Sequence, residues 1–349
     1  MANWLFVSTI ILFLAPLYIW CFKALPQERW QIICAIPTRK MVDGSWQGLN
    51  LTYYGLFNAV SLCAAVALVF ILTGAAGIGF TIFAAVTTVL LAFCLPASRM
   101  IAGWVEKKPN TFSIGAASFL GIVLGPWLVL SMEKVAGRWM GINFDTMAMM
   151  SALMVGYALG EGIGRLACIS FGCCYGKPID QMPQWVQRYL SWATFRFTGC
   201  TKKIVYAHHL EGKRIFAVQA VTAVLYSATA LIGALLFLNG IFAWAFFICL
   251  FVTQGWRFLS EFLRSDYRGD RKISVYQIMS LLTIPYGLLI PFLFPNSGHV
   301  VDLLSGLRAI WNPAVFLFLQ VAWVIMFLRT GRSQVTGSAL SFHVHSDRV

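Results

Sequence analysis

The sequence predicts an all-α polytopic membrane protein of about nine transmembrane helices with a small surface cap. Three observations carry that expectation. The 349 residues are 59% hydrophobic. Only 11% are charged, where a soluble domain carries about 25%. Mean hydropathy is +0.75, and the apolar residues fall into runs of bilayer-spanning length.

Those runs lie at about 4–22, 52–74, 78–97, 113–132, 146–170, 215–238, 242–263, 273–294 and 312–329. The first lacks a basic leader and a small-residue cleavage site, and Trp20 and Phe22 close it, so it reads as a retained anchor rather than a signal peptide. The run at 113–132 is punctuated by Gly115, Gly121 and Gly125, which implies close helix packing or a re-entrant turn. One connection is long, residues 171–214. Its Pro178, Pro183, Trp185, Trp192, Lys202, Lys203, Lys213 and Arg214 predict a folded cap at the membrane surface. The chain divides into an N-terminal extra span and basic loop (1–50), a membrane core (51–294) and an extra C-terminal span (295–330). A polar tail (331–349) follows and is expected to be unstructured, with His343 and His345 inert in it.

Net charge is +13, from 26 Lys+Arg against 13 Asp+Glu. The basic residues are scattered over short loops, which argues for topology and anionic lipid rather than nucleic acid. Lys23, Arg29, Arg39, Lys40, Arg99, Lys107, Lys108, the cap, Arg268, Arg271, Lys272 and Arg332 share one face. By the positive-inside rule that face is cytoplasmic. Arg165 and Arg257 are separated by two complete spans and so lie at one membrane face in either orientation.

Two arginines sit inside apolar runs, where leucine would be cheaper by several kcal/mol. In the run at 242–263 and just beyond it, Gln254, Arg257, Glu261 and Arg264 form one helical stripe, with Arg257 and Glu261 an i,i+4 pair. Glu161 and Arg165 repeat the device among Gly156, Gly160, Gly162 and Gly164. Paired intramembrane arginines suit a phosphate, and phosphate in a membrane points to a phospholipid. The bland reading is internal charge compensation with Arg264 snorkelling to the headgroups. Gln219, Ser274 and Gln277 are candidate polar partners, with interhelical bonding and helix capping as their structural alternatives. His208 and His209 are adjacent, so at most one faces a site. Of the nine cysteines, Cys168, Cys173 and Cys174 invite a metal reading. Adjacent cysteines rarely serve one tetrahedral ion, and no CxxC or nearby histidine accompanies them, so inert buried thiols are expected and no metal.

These residues resemble the prolipoprotein diacylglyceryl transferase family of bacterial inner-membrane enzymes. Leu51-Thr52-Tyr53-Tyr54-Gly55-Leu56 is similar to the family's entry into its first core helix. Gly164-Arg165 through Gly172 to Gly176 aligns without gaps to its signature, with Cys168 and Phe171 at asparagine positions and Cys173 at the glutamate. Arg257-Phe258, Glu261-Phe262 and Arg264 match a later motif, and Ser274 with Gln277 the pair after it. Leu120 stands at the family histidine, and Gln219 survives from a further motif. The resemblance implies a multi-pass inner-membrane transferase, with the cap on the periplasmic side, against the charge count. Diacylglyceryl would move from phosphatidylglycerol to the lipobox cysteine thiol of a prolipoprotein signal peptide, with no cofactor. It implies catalytic roles for Arg165, Arg257 and Glu261, the last orienting Arg257. Substrate-binding roles follow for Gly164, Gly172, Tyr175, Gly176, Gln219, Arg264, Ser274 and Gln277. A same-fold enzyme on another lipid or acceptor, and a non-catalytic lipid-binding or transport protein, remain alternatives.

Overall fold

The computed structural model describes residues 1–106, 114–265, 273–294 and 301–349. Lys107, Lys108, Arg268, Arg271 and Lys272, counted above for charge, lie outside the described residues. Among those described, nine helices are long and apolar enough to cross a membrane. They are α1 (Ala2–Ala24), α2 (Tyr53–Ala75), α3 (Phe80–Glu106), α4 (Ile114–Met140), α5 (Thr146–Phe171), α8 (Val218–Leu238), α9 (Phe242–Leu263), α10 (Val275–Leu293) and α12 (Pro313–Gly331). The cap between α5 and α8 contains α6 (Gln184–Tyr189), α7 (Lys203–His208) and the paired strands β3 (Thr194–Phe195) and β4 (Ile215–Phe216). A short α11 (Leu303–Ile310) precedes α12.

Helix α5 is the axis of the bundle and packs against α2, α8 and α9. Its sequence explains why. Gly156, Gly160 and Gly164 recur every four residues and turn one bare face to α2, where a methyl on Gly156 would come within 2.2 Å of Val69. Gly162 does the same toward α8, where a methyl would lie 2.6 Å from the Ser227 hydroxyl. The glycines that sequence alone left open to a backbone or a substrate are therefore used for helix contact. In α4 the outcome is the reverse. It runs as one helix rather than a re-entrant turn, and a methyl on Gly121 would meet nothing within 4 Å. That space belongs to an apolar cavity of about 320 Å3 bounded by α3, α4, α5 and α9.

Two expectations need correction. The basic loop before α2 is a hairpin, β1 (Ile32–Lys40) and β2 (Trp46–Thr52), closed by a turn with Gly44 at φ +82°. The tail expected to be unstructured supplies β5 (Arg332–Leu340), which pairs antiparallel with β2. The order β1-β2-β5 satisfies the backbone of β2 on both sides, the driving force that composition does not display. The Thr52 hydroxyl donates to the Gly331 carbonyl at 2.9 Å, joining the sheet to the end of α12.

The cap is fastened to the bundle by backbone. Lys177 N–H donates to the Leu263 carbonyl at 2.9 Å, and Ser265 N–H to the Tyr175 carbonyl at 3.1 Å. The buried Lys202 amine donates to the carbonyls of Leu25 (3.1 Å) and Ser170 (2.7 Å). Desolvation there lowers its pKa from the ordinary 10.5 to about 8.

Candidate functional site

Tyr157, Glu161 and Arg165 follow one another at four-residue intervals on α5, so they form a single stripe. Helix α9 crosses that stripe and presents Arg257. Its Nη2 donates to both oxygens of Glu161, at 2.6 and 2.5 Å, and lies 3.0 Å from the Tyr157 hydroxyl. Arg165 and the Tyr157 hydroxyl donate to the same carboxylate. Two guanidiniums against one carboxylate leave the group one net positive charge, almost entirely out of water: the side chains of Arg165, Arg257 and Glu161 are 13, 11 and 3% exposed. The Nε of each arginine has no partner, so donor capacity is left over.

The expected pairing of Arg257 with Glu261 is not what forms. Glu161 offers both its oxygens from the neighbouring helix, and Arg257 takes them. Glu261 instead pairs with Arg264 at 3.5 Å. Helical spacing is blind to a partner on another helix. A polar cavity of about 10 Å3, room for about one water, joins Arg165, Arg257, Gln219, Glu261 and Arg264 with Cys174, Thr222, Tyr226 and Ser260. Gln219 is 1% exposed; its Nε2 donates to the Cys173 carbonyl at 2.9 Å, while its Oε1 is unpartnered. Tyr157 also lines the large apolar cavity, so the charged group and the apolar space meet at that side chain.

The remaining expected residues lie around this centre with structural duties. Gly172 has φ +71° and ends α5. Cys173 N–H reaches back to the Cys168 carbonyl (3.0 Å) and Gly172 N–H to that of Ile169 (3.2 Å), a double closure that needs a left-handed residue. Gly176 bridges to Arg264 and lets the chain pass against the Phe216 carbonyl, 2.5 Å from where a methyl would sit. Tyr175 is buried with its hydroxyl bonded to His208, and His209 ends α7 at φ +53°. Gly164 faces Ser61 of α2. Ser274 and Gln277 form a capping box at the start of α10, and Gln277 Nε2 also donates to the Phe258 carbonyl at 3.1 Å. Gly164, Gly172, Tyr175, Gly176, Ser274 and Gln277 do not line the polar cavity.

Two features escaped sequence reasoning. Tyr157 was overlooked, although its four-residue offset from Glu161 was a usable signal. The three cysteines expected to be inert buried thiols converge: the Sγ atoms of Cys168, Cys173 and Cys174 lie within 4.8 Å of one another. Neighbouring side chains diverge on a helix or strand, but Gly172 and Cys174 both adopt positive φ, and the chain curls back over the end of α5.

The family described as prolipoprotein diacylglyceryl transferase matches residues 45–293. A curated protein of Clostridium tetani, described as phosphatidylglycerol–prolipoprotein diacylglyceryl transferase, is 28% identical over 154 residues, 42% of this chain and 54% of that one. The chain thus spans about half the length of the curated relative it matches. No solved structure matches. With the family match extending over the helices that carry Glu161, Arg165, Arg257 and the cap, this multi-pass membrane protein belongs to the prolipoprotein diacylglyceryl transferase family.

Proposed function

We propose that this chain transfers diacylglyceryl from phosphatidylglycerol to the cysteine thiol of a prolipoprotein, in the inner membrane of a bacterium. The observation that carries the reading is the convergence of Arg165 and Arg257 on Glu161 between a polar cavity that both arginines line and an apolar cavity that Tyr157 lines, a layout that suits an anionic headgroup attached to acyl chains. The family match and the substrates named for the Clostridium tetani relative support it.

In this reading the acceptor sulfur attacks the glyceryl carbon bonded to the phosphate oxygen. The C–S bond forms, the C–O bond breaks, and its electron pair leaves on glycerol phosphate. Arg165 and Arg257 stabilise that developing charge through charge-assisted hydrogen bonds in a dry site. Glu161 holds both arginines until the phosphate arrives, and the polar cavity opens to admit it. Gln219 accepts from a headgroup hydroxyl through its unpartnered Oε1. Glu261 and Arg264 form the rim, Tyr175 and the glycines at 164, 172 and 176 set the fit of α5 and the cap, and Ser274 with Gln277 hold α10 against α9.

A static lipid clamp is the second reading, favoured by Leu120 and Cys173 at positions where the family resemblance places histidine and glutamate. Purified protein given labelled phosphatidylglycerol and a lipobox peptide separates the two. Thioether product that vanishes in Arg165→Ala and Arg257→Ala supports transfer; tight lipid binding without turnover selects the clamp.

A further inference from the structure

We propose that Cys168, Cys173 and Cys174 form a three-thiolate zinc site whose open fourth position takes the acceptor thiol. The metal site stands on geometry alone; the acceptor's place in it rests on the transferase reading above.

The three Sγ atoms lie within 4.8 Å of one another. Zinc–thiolate bonds of about 2.3 Å in tetrahedral geometry require sulfurs about 3.8 Å apart, so the cluster closes on an ion by a shift of about 1 Å or less. The backbone is already arranged for it. The double closure at Gly172 and the positive φ of Cys174 bring adjacent cysteines back over Cys168. Such a turn sets two soft donors past the helix end against a third on the last turn of α5. Soft thiolates select zinc or cuprous copper over magnesium or calcium.

Charge fits as well. A divalent ion with three thiolates carries one net negative charge, and the Arg165–Glu161–Arg257 group carries one net positive charge. Cys174 lines the same polar cavity as Arg165 and Arg257, so the cluster reaches the arginines through that residue. Among the described residues no histidine, carboxylate or further cysteine joins the cluster. Three protein ligands and one open position are the pattern of reactive zinc sites, and a thiol that binds such an ion loses its proton. The acceptor thiol would coordinate, release its proton to water at the membrane face, and attack the glyceryl carbon as a zinc-bound thiolate. The electron pair of the broken C–O bond leaves on the phosphate oxygen beside the arginines, and the thioether, a weak ligand, departs from the metal. The device replaces a protein base by the metal.

The test uses the full-length, detergent-solubilised protein with Co(II) as a spectroscopic probe for zinc. One Co(II) per chain should bind with a thiolate-to-metal charge-transfer band that Zn(II) displaces. Cys168→Ser, Cys173→Ser and Cys174→Ser should each abolish the band, while Cys34→Ser and Cys200→Ser at exposed positions leave it intact. In the unmodified protein, Zn(II) should protect those three cysteines from alkylation and a chelator should restore labelling, a readout that needs no variant to fold. Absence of the band, or equal alkylation with and without Zn(II), overturns the metal site whatever the transfer assay reports. A lipobox peptide should then perturb the Co(II) spectrum, and its cysteine-to-serine version should not. A spectrum indifferent to the peptide overturns the acceptor role alone.

Discussion

Glu161→Gln tests the charge arrangement most directly. The substitution keeps the shape of the carboxylate and removes its charge. Both guanidiniums then stay buried without a counterion, since Arg165 and Arg257 each donate to Glu161. Breaking one buried ion pair costs about 3–5 kcal/mol, and sharing between two arginines puts this case at the upper end. A phosphate entering the cavity restores the missing negative charge. By linkage, what the variant loses in stability without lipid returns as affinity for an anionic headgroup. At about 5 kcal/mol the ceiling on that gain is roughly three to four powers of ten in dissociation constant. The assay is thermal unfolding followed by tryptophan fluorescence, in neutral detergent and again with phosphatidylglycerol in mixed micelles. The variant should unfold well below the parent in detergent and recover most of the difference with the anionic lipid. An equal deficit in both, or none in either, would refute the view that phosphate and Glu161 compete for the same two arginines.

The other expected outcomes concern the arginines, the cap and the tail. Arg257→Lys keeps the charge but cannot reach Tyr157 and both Glu161 oxygens together, so thioether formation should fall about 10²–10³-fold; a near-parental rate would show that charge alone suffices. Lys202 is desolvated to a pKa of about 8 from 10.5, so the unfolded chain binds its proton more tightly. The penalty is full below pH 8 and is relieved as pH rises to 10.5. Protection of amides 199–208 against hydrogen exchange, corrected for intrinsic rates, should therefore increase across that window by up to roughly 3 kcal/mol; a flat or falling profile would contradict it. Truncation after Gly331 removes β5 and leaves β2 with an open edge, so the protein should aggregate more readily while still binding phosphatidylglycerol. Rapid proteolysis of 332–340 in the intact protein would mean that the strand is not formed.

What the chain determined by itself was the membrane class and the positions of its spans, because burial in lipid demands long apolar runs and these stand out in any window. It also marked Arg165 and Arg257 as expensive residues and placed them at one membrane face. Local spacing went no further than each helix. It paired Arg257 with Glu261, where the fold pairs it with Glu161 from α5, 96 residues away in the chain. It read the residues after Arg329 as loose, although β5 finds its partner in β2, nearly three hundred residues earlier. It read Cys168, Cys173 and Cys174 as inert buried thiols, and two left-handed backbone positions bring their sulfurs together. Spans are set by transfer free energy, which each residue contributes independently. Ion partners and strand partners depend on which distant segments the fold packs together, and the converging thiols on the turn that ends α5; only the tertiary structure decides these.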